Sequence, residues 1–411
     1  MSSTVPQSIP PSRRQSTHLA ILLAALAMLG PFSVDTYLPA FPSIQASLQA
    51  SAIQVQQTLT AYMMAFAFMM LWHGAISDAL GRRNIILVSL FVFAVASLGC
   101  AASHTIHYLW IFRVLQGLSA GAGMVVGRAI IRDIYSGPAA QRLLSLVTMI
   151  FSIAPAIAPI LGGWVVTLTD WRSIFLFLFV YTGALIWFCF RFLPESLPKE
   201  KRHEISMPVL VSSYKAVFGS PSFHLQSGTV AFNFAGLFLY VASAPIFLTK
   251  HLGLSAQGFG WQFVPMVAGI FLGALGANRL AGRIPLFRQV RIGYFFLAGA
   301  TICNVGYHSI FPPAIPWSVM PLFFYAIGMS FVAPGVTLMT LDLFPNTRGI
   351  VASCQSCAVT FLAAIVAGVI APMLDDSPIW LALGQCGFVC CGMLCWHLSK
   401  KAHEIALNQS P

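Results

Sequence analysis

The stretch GAISDALGRRN, residues 74–84, separates two apolar runs, and its reading decides the fold. The run before it reaches back to about residue 54 and the run after it forward to about residue 103. Each has the roughly 20 residues that a bilayer's hydrocarbon core demands of a helix. Gly81 permits a backbone geometry that other residues avoid, so it marks a tight connection. Asp78 and Arg82 stand four apart and can pair across one turn if the helix continues that far.

Outward from this hairpin the same pattern recurs along the chain. Hydropathy and breaker residues predict twelve spans, near 18–39, 54–75, 84–103, 107–131, 142–166, 172–193, 222–248, 257–280, 289–310, 316–341, 348–373 and 378–398. Of the 411 residues, 58% are hydrophobic and 8% charged, against about 25% charged in an ordinary soluble protein. The expected fold class is an all-α polytopic membrane protein. A polar start through Thr17 leads directly into a full-length span, so no cleavable signal is expected.

Charge sets the orientation. Arg13, Arg14, Arg82, Arg83, Arg132, Arg142, Lys199, Lys201, Arg202, Arg279, Arg283 and Arg348 all fall on one side, and only Arg172 and Lys250 on the other. The positive-inside rule then puts both termini in the cytoplasm, in a bacterial-type inner membrane. This bias accounts for most of the net charge of +11, so nucleic acid is not an expected partner and anionic lipid head groups are. Seven of the nine cysteines lie inside apolar helices, and Cys354 and Cys357 sit in an Ala- and Ser-rich span, where packing rather than a metal or redox role is expected.

The longest polar interruption, residues 195–220, divides six spans from six. The expected organisation is a cytoplasmic tail 1–17, a six-helix bundle 18–194, a central loop 195–220, a second bundle 221–400 and a tail 401–411. Two such halves are the outline of pseudo-symmetric transporter bundles. GALGANRLAGR, 273–283, echoes the 74–84 stretch between spans eight and nine but lacks the acid.

Four clusters bear the chemistry. At the first, Gly74, Asp78, Gly81, Arg82 and Arg83 close a helix end, and Asp133 ends span four on the same side, so Arg82 can sit between two carboxylates as a latch. In the second, Arg113, Gln116, Gly117, Ala120 and Met124 share one face of span four. An intramembrane arginine faces a bundle interior and needs a partner. In the third, Pro155 and Pro159 remove helical hydrogen bonds in span five, and Gly162-Gly163 adds close packing. The fourth is Asp35, the one acid among the first 77 residues. At ~1.5 Å per residue, Asp35 lies about 25 Å and Arg113 about 21 Å from the inner edge, so the two opposite charges can share a depth. Candidate pocket walls are Tyr37, Tyr62, Met63, Phe66, Gln116 and Tyr240, with Asn233 one face-repeat from Tyr240 on span seven.

GAISDALGRR resembles the loop motif of the major facilitator superfamily, Gly-x-x-x-Asp-Arg-x-Gly-Arg-Arg, with Ala79 where that family commonly has Arg. FRVLQG resembles the RxxQG motif of its drug:proton antiporters, and APAIAPILGGW the antiporter motif ending Gly-Pro-x-x-Gly-Gly, with Ala158 replacing the first Gly. RAIIRD, TDWRSIF, DTYLPAFPSI, RFLPESLPKEKR and LFPNTRGIVASCQS are similar to the bicyclomycin-resistance-type branch. The resemblance implies two pseudo-symmetric six-helix bundles and alternating access. Its implied activity is export of a small hydrophobic or amphipathic drug in exchange for protons, by a monomer.

Asp35 is then the expected proton carrier and Arg113 the residue that couples its charge to cargo. A carrier dedicated to one metabolite on the same fold is the alternative. An enzyme is not expected: the histidines are scattered, with no HExxH or DxxxD pair for a metal. No phosphate loop is present, so the proton gradient rather than a cofactor is the expected energy source.

Overall fold

A computed structural model describes residues 13–202, 206–345 and 347–408. Residues 1–12 of the expected N-terminal tail, 203–205 of the central loop, Asn346 and 409–411 of the C-terminal tail lie outside the described residues. The rest is helical, with no strand among the described residues.

Eleven helices are long and apolar enough to cross a membrane: Thr17–Leu48, Ala52–Leu80, Arg82–Ala101, Ile106–Ile134, Ala139–Leu168, Arg172–Phe192, Pro221–His251, Ala256–Leu280, Met320–Asp342, Arg348–Leu374 and Pro378–Lys401. The ninth expected span is present as Leu286–Ile310, a 25-residue helix whose Arg288, Arg291, Asn304 and His308 lower its hydropathy. Twelve helices therefore follow the twelve apolar runs.

Two boundaries differ from the sequence expectation. Span one does not stop at residue 39: a turn at Thr36–Tyr37 and a 3-10 segment Leu38–Ala40 lead into a second helix Phe41–Leu48. Pro39 and Pro42 do not end it, because each stands in a first helical turn, where the missing N–H costs nothing. Span two runs on through Asp78 to Leu80, and Gly81, at φ +98°, makes the turn.

The two halves repeat one packing scheme. Span two packs on four as eight packs on ten, three on six as nine on twelve, and one on five as seven on eleven. Without a hydrophobic drive between helices in lipid, small residues permit such approach. Gly117 of span four lies against the backbone of Tyr62 in span two, and Gly269 of span eight against the backbone of Phe323 in span ten.

Span two packs along span eleven, and span five meets span eight, so these pairs form the seam between the halves. At the end remote from the basic loops the seam is tight. Gln56 Nε2 donates to Ala242 O at 3.1 Å, and Thr60 packs on Gly368. Nearer the basic end, the first half of span five, Gly137–Phe151, packs on spans one and four and is mostly exposed. There the loop helix Met207–Phe218 bridges the halves, its Tyr214 hydroxyl donating to Leu71 O at 2.6 Å.

Candidate functional site

Near mid-depth of the first half, Arg113 is fully buried on span four. Its Nη1 donates to Ser33 O at 3.2 Å and to Gln116 Oε1 at 2.8 Å, while Nε and Nη2 have no partner. Gln116 is held in turn by Ser97, whose Oγ accepts from its Nε2 at 2.8 Å. Two rings flank the guanidinium: Tyr37 at 4.7 Å and Tyr62 at 4.2 Å from Cζ to ring centroid. Such contacts are worth about 2 kcal/mol or more when desolvated.

Asp35 ends the first helix of span one and is 6% exposed. Its carboxylate has no hydrogen bond or ion pair among the described residues. Asp35 and Arg113, which can share a depth, form no ion pair in this conformation. The tyrosine rings and Ser33 O take the place of the carboxylate around the cation.

Asp35 opens instead on a cavity of about 320 Å³ between the halves. Tyr62, Met63, Phe66, Met124 and Pro155 line it from the first half, and Phe234, Phe238, Phe263, Met266, Met329 and Thr360 from the second. The volume is at the lower end of ordinary small-ligand sites. Flexible thioethers and aromatic faces suit cargo of varied shape, and Asp35 is the only charged side chain in the wall.

Of the pocket residues proposed from sequence, Tyr62, Met63 and Phe66 line this cavity. Tyr37 and Gln116 do not: both are 0% exposed and face Arg113. Nor do Asn233 and Tyr240, which bond within the second half. Asn233 Nδ2 donates to the Tyr294 hydroxyl at 3.2 Å, and the Tyr240 hydroxyl accepts from Asn304 Nδ2 at 2.7 Å. Their shared helical face points into the bundle rather than the seam.

The latch cluster assembles at the basic end. Arg82 pairs with Asp78 at 2.5 Å and with Asp133 at 3.1 Å, and its Nη1 donates to Ser77 Oγ at 2.6 Å. A residue given no role in the sequence reading, Glu195, completes it. Its carboxylate accepts from the backbone N–H groups of Arg82 and Arg83 at 3.0 and 3.3 Å, where span three begins, and pairs with Arg202 at 3.5 Å. A helix N-terminus favours an anion there. Gly81 is needed twice over: its φ is +98°, and a Cβ would stand 2.5 Å from Glu195 Oε2. Gly74 packs near Val125, and Arg83 Nη2 donates to Phe190 O at 2.6 Å. Arg82 joins spans two and four, so Arg82→Ala leaves two carboxylates facing each other. Transport turnover should fall roughly tenfold, about the loss of one charged hydrogen bond, with cargo affinity changed less. Single-turnover flux beside equilibrium binding checks this, and equal loss of both would mean misfolding.

Span five breaks between Phe151 and Ala154, ahead of Pro155, and carries Pro159 within its second helix. One of its two glycines makes a seal between the halves, at the end remote from the basic loops. Gly162 lies against the backbone of Thr36, and Gly163 against the backbone of Ala256 in the other half, so closely that neither has room for a Cβ.

The model of the Major Facilitator Superfamily matches residues 23–368. The uncharacterized MFS-type transporter YdgK of Bacillus subtilis is 33% identical over 366 residues, 89% of this chain and 90% of that one. The bicyclomycin resistance protein homolog of Haemophilus influenzae is 27% identical, with 91% and 95% covered, and multidrug resistance protein D of Escherichia coli 26%, with 93% and 96%. Among solved structures, a D-xylose-proton symporter superposes with a TM-score of 0.73 over 94% of this chain and 98% of its own, at 15% identity, a likeness of fold alone.

Proposed function

The chain belongs to the major facilitator superfamily, and we propose from that premise that it exports small hydrophobic or amphipathic drugs in exchange for protons by alternating access. The observation that carries this reading is the cavity: one unpaired carboxylate, Asp35, in a wall otherwise built of methionine, aromatic, aliphatic and small side chains. An isolated carboxylate in such a wall is costly as an ion. Its charge needs compensation, by a proton, by Arg113 or by a cationic cargo, and so it can exchange proton for cargo. The names of the relatives, which speak of bicyclomycin and multidrug resistance, support the same cargo class.

In this reading the basic end faces the cytoplasm, both termini lie there, and the conformation is closed toward the outside where Gly163 meets Ala256. Cargo enters the cavity from the cytoplasmic end, the proton leaves that way, and the halves then rock about the seam. The gradient supplies the energy, no cofactor takes part, and one chain suffices.

Protein in liposomes with an internal pH dye tests the reading. Antibiotics and lipophilic cations are added one at a time, and at least one is expected to drive proton movement at saturable concentration. Silence across the panel from folded protein would defeat drug antiport and favour a carrier for a single metabolite.

A further inference from the structure

The two tyrosines that flank Arg113 are held very differently. Tyr37 is locked: its hydroxyl shares a hydrogen bond of 2.7 Å with Thr58 Oγ1, and its ring packs on Phe41 and Phe175 at 5.1 and 5.4 Å. Tyr62 is loosely held and lies on the cavity wall. Its hydroxyl meets Gly30 O at 3.5 Å, a marginal distance, and lies beside the Ser33 side chain, and its ring stacks on Phe66, itself a wall residue. One face of the Arg113 cage is therefore fixed, and the other faces the cargo space.

We propose that Tyr62 is the positioning residue that relays occupancy of the cavity to Asp35, by covering Arg113 when the cavity is empty and uncovering it when cargo displaces the ring. The inference rests on the drug-antiport reading and adds how binding reaches the proton. The ionisable groups around Arg113 are Tyr37 from the turn after span one, Tyr62 from span two and Cys100 from span three, and Asp35 of span one lies in turn within electrostatic reach of Tyr62. Asp35 is the one carboxylate among them. With Nε and Nη2 unpartnered, an uncovered Arg113 has two N–H donors free for it. The O–H bond of the Asp35 carboxyl then breaks, its proton passes to water at the open end as hydronium, and the carboxylate pairs with Arg113. When cargo leaves, Tyr62 returns over the guanidinium and Asp35 takes a proton back.

A relay of this kind differs from direct displacement in what a neutral cargo does. A cation can expel the Asp35 proton by its own charge, whereas an uncharged compound can do so only through Arg113. The probes are chloramphenicol, which is neutral, and tetraphenylphosphonium, a lipophilic cation. Binding is measured by calorimetry and proton release by a pH dye, for wild type, Tyr62→Leu and Tyr62→Phe. Wild type is expected to release protons with both. In Tyr62→Leu Arg113 stays uncovered when the cavity is empty, so Asp35 is already ionised. The protons released per probe bound should fall by roughly 30-fold for both probes, the size of one desolvated cation–π contact, and return when the titration is repeated at lower pH. Tyr62→Phe, which keeps the ring, should behave as wild type.

Undiminished release by chloramphenicol in Tyr62→Leu would overturn the relay. So would a loss of release that lower pH does not restore, which makes Tyr62 a wall or fold element, and so would a Tyr62→Phe variant as defective as Tyr62→Leu. Wild type that binds chloramphenicol without releasing a proton defeats the relay alone. Wild type that binds neither probe defeats the antiport reading, and the relay falls with it.

Discussion

Asp35→Asn is expected to abolish proton-coupled movement of cargo while leaving the protein inserted and folded. The amide matches the carboxyl in shape, and Asp35 has no hydrogen bond or ion pair to lose, so the packing of span one is preserved. What disappears is the one protonatable acid on the cavity wall. A proton crossing ~100 mV supplies about 2.3 kcal/mol, and at about 1.4 kcal/mol per decade this sustains a cargo gradient of roughly 50-fold. The variant should sustain none, and cargo should equilibrate across the membrane. Flux of a labelled substrate in liposomes, with and without an imposed pH gradient, measures it. Gradient-driven export by Asp35→Asn would remove the carboxylate from the mechanism.

The second large effect concerns the seal. Gly163→Leu places a branched side chain where the glycine already lies against the backbone of Ala256 in the other half. Backbone cannot yield as a side-chain tip does, and overpacking of this kind costs about 1–3 kcal/mol or more. The strain exists only while spans five and eight are closed at the end remote from the basic loops. It therefore falls on one conformation and shifts the equilibrium away from it by about 5- to 150-fold. Spin-label distances across that end, between span five and the start of span eight, should lengthen, and net export should fall by a similar factor. Unchanged distances would mean that the seal does not depend on this contact.

Spans and latch were legible in the sequence for a simple reason: both depend on local pattern. A run of apolar residues has to be a helix in lipid, and Asp78, Gly81 and Arg82 act within one turn of one another. The cavity was less legible. Tyr240 and Asn233 share a helical face, but sequence does not say whether that face meets the seam or the bundle interior. Asn304 and Tyr294, far along the chain, settle that it is the interior. Depth alone brought Asp35 and Arg113 to one level, yet depth carries no angle, so the rings that flank the guanidinium were invisible. Glu195 was overlooked because its partners are backbone N–H groups, which leave no mark in a sequence. Its one clue was an acid at the very start of the long polar loop.

The polar ninth helix has a consequence for how the protein is made. Leu286–Ile310 carries Asn304 and His308 in its second half, and Asn304 bonds to Tyr240 and to Gln385 at 2.9 Å, on spans seven and twelve. During synthesis span seven has already been laid down, but span twelve has not. A helix with unsatisfied amides partitions weakly into lipid alone. Leu286–Ile310 must therefore wait beside the insertion machinery, or enter together with span ten, against which it packs closely. The second half is in this sense assembled as a unit, its polar core sealed only when the last helix arrives.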